Sequence, residues 1–233
     1  EKDIAILNLD NKEVLDLTRD IRSTKRYFSS HPADQPGCCI LDGVICYNKE
    51  RIIPISDVKI KGRHNYENAM AAIAAVKELG VENRPIVEVL KTFGGVEHRL
   101  EYVRTIKHVD FYNDSKSTNI TSTQIALSSF ERPVILLLGG LDRGHSFEGL
   151  KDYLKWVKRI VAFGETRERI GKFASEQGIP CTIVEVLDDA VTAAYNASSP
   201  GDVVLLSPAC ASWDQYENFE IRGNRFKDCV NAL

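Results

Sequence analysis

Apolar residues fall in short blocks separated by polar runs, and the period within the blocks changes along the chain. Ile4-Ala5-Ile6-Leu7-Asn8-Leu9 is a buried-strand pattern at the very start, with no initiator Met and no lead-in, as expected of a chain cut from something longer. Ile40-Leu41, Val44-Ile45-Cys46-Tyr47, the polar turn Asn48-Lys49-Glu50-Arg51 and Ile52-Ile53-Pro54-Ile55 predict a small antiparallel β-hairpin addition. Pro54 has no N–H to give a ladder, so it argues for an edge position. From His64 the pattern turns helical: Asn65 suits an N-cap, Ala69 to Val76 are nearly all good helix formers, and Gly80 stops the run. So many alanines on one helix imply close packing against a neighbour. A second helix is expected over Pro85–Thr92, breaking at Phe93-Gly94-Gly95, and a domain boundary near Glu97.

Beyond that point apolar segments alternate with amphipathic ones. Strands are expected at Val109–Tyr112, Val134–Leu138, Arg159–Phe163, Cys181–Val186 and Val203–Leu206. The helices between and after them are expected at Asn119–Phe130, Phe147–Trp156, Thr166–Gln177, Leu187–Ala197 and Asn218–Val230. Such alternation predicts an α/β fold with a mostly parallel, doubly wound sheet, which carries its sites at the carboxyl ends of the strands.

Composition narrows the function classes. The 233 residues, 43% hydrophobic and 27% charged, are an ordinary globular balance that argues against disorder or a disulfide miniprotein. Thirty Lys and Arg against 33 Asp and Glu give a net charge of −3, so no broad positive field exists to hold a nucleic-acid backbone. The longest apolar run, Ala69 to Val76, is far too short to span a bilayer, and Glu1-Lys2-Asp3 does not begin a signal peptide. No membrane association is expected, and the location is expected to be cytoplasmic. None of the six cysteines forms a C-x-x-C pair, and the five histidines are too far apart to share a helical turn. Free thiols and no metal site are expected.

Polar loops at strand ends and helix starts carry the candidate chemistry. Asn65 and Asn68, three apart at a helix start, point the same way and could read a nucleobase edge, or be a cap and a surface amide. Phe93-Gly94-Gly95-Val96-Glu97-His98-Arg99 is a glycine hinge followed by a basic pair, or an ordinary linker. Tyr112 to Asn119 follows a buried strand with a polar run in which Asp114 and Lys116 could be an ion pair or part of a phosphate and hydroxyl cradle. Leu138-Gly139-Gly140-Leu141-Asp142-Arg143-Gly144 offers tight turns and a planar guanidinium fork, although Arg143 is equally readable as a solvated loop charge. Leu206 to Tyr216 is the last such loop. The glycines at 139, 140 and 144 miss G-x-G-x-x-G, and near Gly171-Lys172 the Walker pattern fails at Thr166 and Phe173.

Taken in order, GRHNYENAMAA, FGGVEHRLE, YNDSKSTN, LLLGGLDRG and SPACASWDQYENFEIRGNRF resemble the D-glutamate-adding branch of the Mur ligase family, from about Asp3 to the C-terminus. The resemblance implies residues 1–97 as the end of a central ATPase domain without its phosphate loop, and 98–233 as a Rossmann-like, amino-acid-binding domain. The activity it implies is ATP-dependent ligation of D-glutamate to UDP-N-acetylmuramoyl-L-alanine through an acyl phosphate in peptidoglycan synthesis. ATP and magnesium are the implied cofactors, with the phosphate loop and magnesium ligands upstream of Glu1. By the same resemblance Asn65 and Asn68 match adenine-side contacts, Arg99 and Asp114 ribose and nucleotide contacts, and Lys116 a catalytic residue near the reacting phosphate. Thr118, Arg143, Ser212 and Phe219 match the D-glutamate pocket, Phe219 mainly through its backbone. Arg143 stands where some members carry Lys, which keeps the charge and changes the geometry. A monomer is expected, and the chain alone is expected to be inactive. A related Mur or folylpolyglutamate ligase, a nucleotide-dependent oxidoreductase and a non-catalytic binding fragment are the alternatives; the failed glycine fingerprint counts against the oxidoreductase.

Overall fold

A computed structural model describes residues 3–60 and 62–233, and its contacts divide at Gly94/Gly95 into two compact units. In the first, β1 (Ile4–Asn8), β2 (Thr24–Ser29), β3 (Gly37–Leu41), β4 (Val44–Tyr47) and β5 (Glu50–Pro54) form one sheet in that order. The pairs β1/β2 and β2/β3 are parallel, and β3/β4 and β4/β5 antiparallel. The expected hairpin is therefore the antiparallel half of a mixed sheet, and Pro54 does lie on its edge strand. Helix α1 (Lys12–Leu17) follows β1; α2 (Arg63–Glu78) and α3 (Asn83–Thr92) come after β5.

The alanines of α2 earn their place by contact: Ala69, Met70, Ile73 and Ala74 bury against Cys38, Ile45, Tyr47 and Ile53 of the sheet. Arg26 of β2 and the Tyr47 hydroxyl both bond Glu78 in the last turn of α2, the Arg26 Nη2 donating at 3.1 Å. Gly80, at φ +81°, follows the end of the helix as expected. The helix start corrects the sequence reading. Gly62, at φ +102°, occupies the N-cap with no side-chain bond, and Asn65 is already the third helical residue. The left-handed glycine makes the entry turn, which leaves no capping position for Asn65.

In the second unit, β6 (Glu101–Ile106), β7 (Val109–Asn113), β8 (Val134–Gly139), β9 (Val157–Phe163), β10 (Cys181–Ile183) and β11 (Val203–Leu206) form a sheet of order β10-β9-β8-β11-β7-β6. It is parallel from β10 to β7, and only the edge pair β6/β7 is antiparallel. Alternate residues of the fully buried β8 feed opposite cores: Val134, Leu136 and Leu138 meet α4 (Ile120–Leu127) and α5 (Arg167–Glu176), while Ile135 and Leu137 meet α6 (Leu187–Asn196) and α7 (Phe219–Asn231). This is the doubly wound arrangement expected. The helix expected over Phe147–Trp156 is a 3-10 helix, Glu148–Trp156, burying Leu150 and Leu154. All six cysteines are free. Among the described residues, no helix is long and apolar enough to cross a membrane.

Candidate functional site

Strands β8, β11 and β7 are adjacent and parallel, so their carboxyl ends open on one edge of the sheet. Three loops leave from there: Asp114 to Asn119, Gly140 to Gly144, and Ser207 to Tyr216. Backbone bonds lace them together. Gly139 N–H donates to the Pro208 carbonyl at 3.0 Å, Leu141 N–H to Ala211 at 2.9 Å, and Asp114 N–H to Leu206 at 2.8 Å. A Cβ on Gly140, which sits at φ +144°, would fall 2.4 Å from the Ala211 carbonyl oxygen, so glycine allows the closest approach of two of these loops.

Asp114, only 2% exposed, is the hub of the first loop. Its carboxylate accepts from the Ser117 hydroxyl, from Ser207 Oγ at 2.7 Å and from the Leu100 N–H at 3.1 Å. Desolvation by burial nonetheless dominates and pushes its pKa up to about 6, against the pull of those bonds and of the nearby Arg99 charge. Arg99 itself is exposed.

The exposed Lys116 follows two residues on, its N–H donating to the His98 carbonyl at 3.0 Å and its ammonium lying 5.2 Å from the centre of the Phe219 ring. Phe219 opens α7, and its carbonyl accepts from Ser115 Oγ at 2.8 Å. The buried His98 packs its ring edge-on to Phe219 at 6.2 Å and meets Asn113 Nδ2 through Nδ1 at 3.0 Å. Thr118 is half-buried on the same loop, its N–H bonded to the Lys116 carbonyl at 2.9 Å.

Opposite, Arg143 is exposed on the β8 loop, with its guanidinium carbon 4.6 Å from the centre of the Trp213 ring. Ser212, 2% exposed, precedes Trp213 on the β11 loop, and its carbonyl accepts from Gln215 at 3.0 Å and Tyr216 at 2.8 Å. Lys116 and Thr118, Arg143, and Ser212 thus stand on three neighbouring loops of one sheet edge, with Phe219 packed beside Lys116. A cation, hydroxyls and a second cation at such an edge suit an anionic ligand carrying carboxylate or phosphate groups.

Sequence reasoning missed Arg222. It lies 1% exposed in α7, with Nη1 donating to the Cys210 carbonyl at 3.0 Å and Nη2 to the Ser115 carbonyl at 2.8 Å. The signal available was a basic residue, beside Gly223, within an otherwise amphipathic helix; a charge there reads as solvated until its carbonyl partners are known.

Of the first unit's candidates, Asn65 is half-buried and Asn68 exposed, both in the first two turns of α2. Their spacing of three keeps them on neighbouring helical faces.

Glu97, His98 and Glu101 are the one group of metal-capable side chains among the described residues. Lys227 bonds Glu97 and lies 3.4 Å from Glu101, so a resident ammonium already supplies the positive charge there. Magnesium demands an octahedral set of oxygens. Neither this trio nor the three-times-bonded Asp114 provides one, and no magnesium site is assigned to these residues.

Residues 98–210 match the family model of the Mur ligase, glutamate ligase domain. The chain is 49% identical to the UDP-N-acetylmuramoylalanine--D-glutamate ligase of Bacillus pumilus, over 100% of its own length and 52% of that protein. It is 48% identical, over the same shares, to the ligase of that name from Geobacillus kaustophilus. It therefore spans about half the length of the curated relatives it matches. Among solved structures, UDP-N-acetylmuramate-alanine ligase from Thermotoga maritima shares the fold at a TM-score of 0.65 and 17% identity, covering 97% of this chain and 60% of that one.

Proposed function

This chain belongs to the Mur ligase family, and we propose that it is the carboxyl-terminal half of an ATP-dependent ligase that joins D-glutamate to UDP-N-acetylmuramoyl-L-alanine in cytoplasmic peptidoglycan synthesis. The observation that carries the reading is identity of 46–49% along the whole chain to proteins named for that reaction. In it, the γ-phosphoryl group of ATP passes to the terminal carboxylate of the nucleotide substrate, giving an acyl phosphate and ADP. The D-glutamate amine then attacks the acyl carbon, the C–N bond forms, the C–O bond to phosphate breaks, and phosphate leaves with that electron pair while the amine loses a proton. No nucleophilic side chain is required.

The residues divide the work by their chemistry. Arg143, with Thr118 and Ser212 as hydroxyl partners, takes the two carboxylates of D-glutamate and so fixes where its amine points; the backbone of Phe219 helps close the same pocket. Lys116, close by on the β7 loop, offsets negative charge that grows on the phosphoryl group. Asn65 and Asn68 are assigned to the adenine, Arg99 and Asp114 to the ribose and nucleotide side. Because its carboxylate already accepts from Ser117, Ser207 and Leu100, Asp114 serves the nucleotide side by holding the loop on which Lys116 stands.

The test is steady-state kinetics of Arg143→Ala in the full-length enzyme, with D-glutamate and ATP varied separately. Losing a hydrogen bond to a charged group costs roughly 1.5–3 kcal/mol, so kcat/KM for D-glutamate should fall on the order of ten- to hundredfold with the ATP parameters unchanged. A defect confined to ATP would move Arg143 out of the amino-acid pocket.

A further inference from the structure

The loop carrying Arg143 is anchored by the residue before it. The Asp142 carboxylate pairs with Arg169 and accepts from Gly144 N–H at 2.8 Å, and the Asp142 N–H donates to Glu165 Oε2 at 3.1 Å. The Arg143 side chain takes no part in this. It is exposed and has no carboxylate partner among the described residues; its contact is the face of the Trp213 indole, 4.6 Å from guanidinium carbon to ring centre. Trp213 is itself 63% exposed and directly follows the buried Ser212. The molecule therefore keeps an indole in solvent whose recorded partner is an unpaired cation at the rim of the candidate site.

Stacking uses the flat face of a guanidinium and leaves its in-plane N–H groups open, so a stacked arginine can still grip a carboxylate edge-on. An arginine on a glycine-bounded loop would otherwise lose several rotamers on binding, and a platform that holds it beforehand lowers that cost. A lysine ammonium is compact and has no flat face to lay on the ring. We propose that Trp213 is a positioning residue of the amino-acid pocket, its indole holding the Arg143 guanidinium flat so that the open edge meets a carboxylate of the incoming dicarboxylic amino acid. This rests on the reading of Arg143 and Ser212 as D-glutamate contacts.

The experiment uses the full-length enzyme with Trp213→Ala, Trp213→Phe, Arg143→Ala and the Trp213→Ala/Arg143→Ala pair. Trp213→Ala should raise KM for D-glutamate roughly two- to fivefold, the worth of an exposed cation–π contact, with kcat and KM for ATP unchanged. Trp213→Phe should recover most of the loss, and in the Arg143→Ala background Trp213→Ala should add little. In enzyme labelled with fluorotryptophan, the resonance that Trp213→Phe removes should shift in Arg143→Ala before any ligand is added. An unchanged D-glutamate KM in Trp213→Ala, alongside a raised one in Arg143→Ala, overturns the positioning role and leaves the pocket standing. An unchanged D-glutamate KM in Arg143→Ala, with the resonance shifted, overturns the pocket itself.

Discussion

The Arg222 guanidinium holds Ser115 at two points, Nε–H donating to the hydroxyl at 3.0 Å and Nη2–H to the carbonyl at 2.8 Å. With Nη1 on the Cys210 carbonyl, one buried cation ties the loop after β7 to the loop after β11. Burial draws its pKa down to about 10, so it remains charged at neutral pH. Its place under both loops makes it the fastening of the site rather than a contact for ligand.

Replacing Arg222 by Met removes three hydrogen bonds and leaves the Ser115 and Cys210 carbonyls unpaired in the interior. Stability should fall by roughly 2–5 kcal/mol, read from the urea midpoint of the second unit's unfolding. A midpoint shift worth less than about 0.5 kcal/mol would contradict this role.

Asp114 should make stability depend on pH in an unusual sense. Its pKa is raised from 3.8 to about 6 in the folded protein, so between those values the native state holds a proton that the unfolded chain has released. Its contribution is therefore fully favourable below about pH 4 and is lost as pH rises through about 6. Asp114→Asn should flatten that part of the stability profile, by on the order of 3 kcal/mol between its ends. Denaturant unfolding at a series of pH values checks it, and a variant profile parallel to that of the parent would contradict it.

Gly140→Ala places a methyl group against the Ala211 carbonyl, at 2.4 Å in the present backbone, and at a φ of +144° that L side chains rarely adopt. The β8 and β11 loops must part, taking Arg143 away from Ser212. We expect a stability loss of about 1–3 kcal/mol and a KM for D-glutamate raised about tenfold or more, with KM for ATP unchanged. Kinetics and thermal unfolding of the variant measure both.

Lys116 is exposed and forms no ion pair among the described residues, so Lys116→Met should leave stability within about 0.5 kcal/mol. The role proposed for it, offsetting charge on the transferring phosphoryl group, predicts a fall in kcat on the order of a hundredfold or more. Normal kcat in a folded Lys116→Met enzyme would remove Lys116 from the chemistry.

What the sequence disclosed and what it hid follow from where each residue finds its partner. The six residues of β8 are apolar throughout and buried on both faces, which local pattern alone reveals. β2 reads as polar because Lys25 and Arg26 interrupt it; the charge of Arg26 is met by Glu78, 52 positions away, and no window along the chain contains both. Arg222 is hidden for the same reason, its partners Ser115 and Cys210 belonging to two other loops. Asn65 looked like a cap because its residue type suits one, whereas the backbone turn at Gly62 had already started the helix. Trp213 is hidden differently: its residue type says nothing of its neighbour, and only the fold brings the Arg143 guanidinium carbon to 4.6 Å from the centre of its 63% exposed ring.

The most direct measurement is of which amino acid couples ATP cleavage to product. Full-length enzyme would be supplied with ATP, magnesium and UDP-N-acetylmuramoyl-L-alanine, and phosphate release and product mass followed with D-glutamate, L-glutamate, L-alanine, diaminopimelate and D-alanyl-D-alanine in turn. D-Glutamate alone should drive rapid phosphate release and yield a product heavier by one glutamyl residue. Equal or faster turnover with any of the others, or phosphate release indifferent to the amino acid, would contradict the assignment.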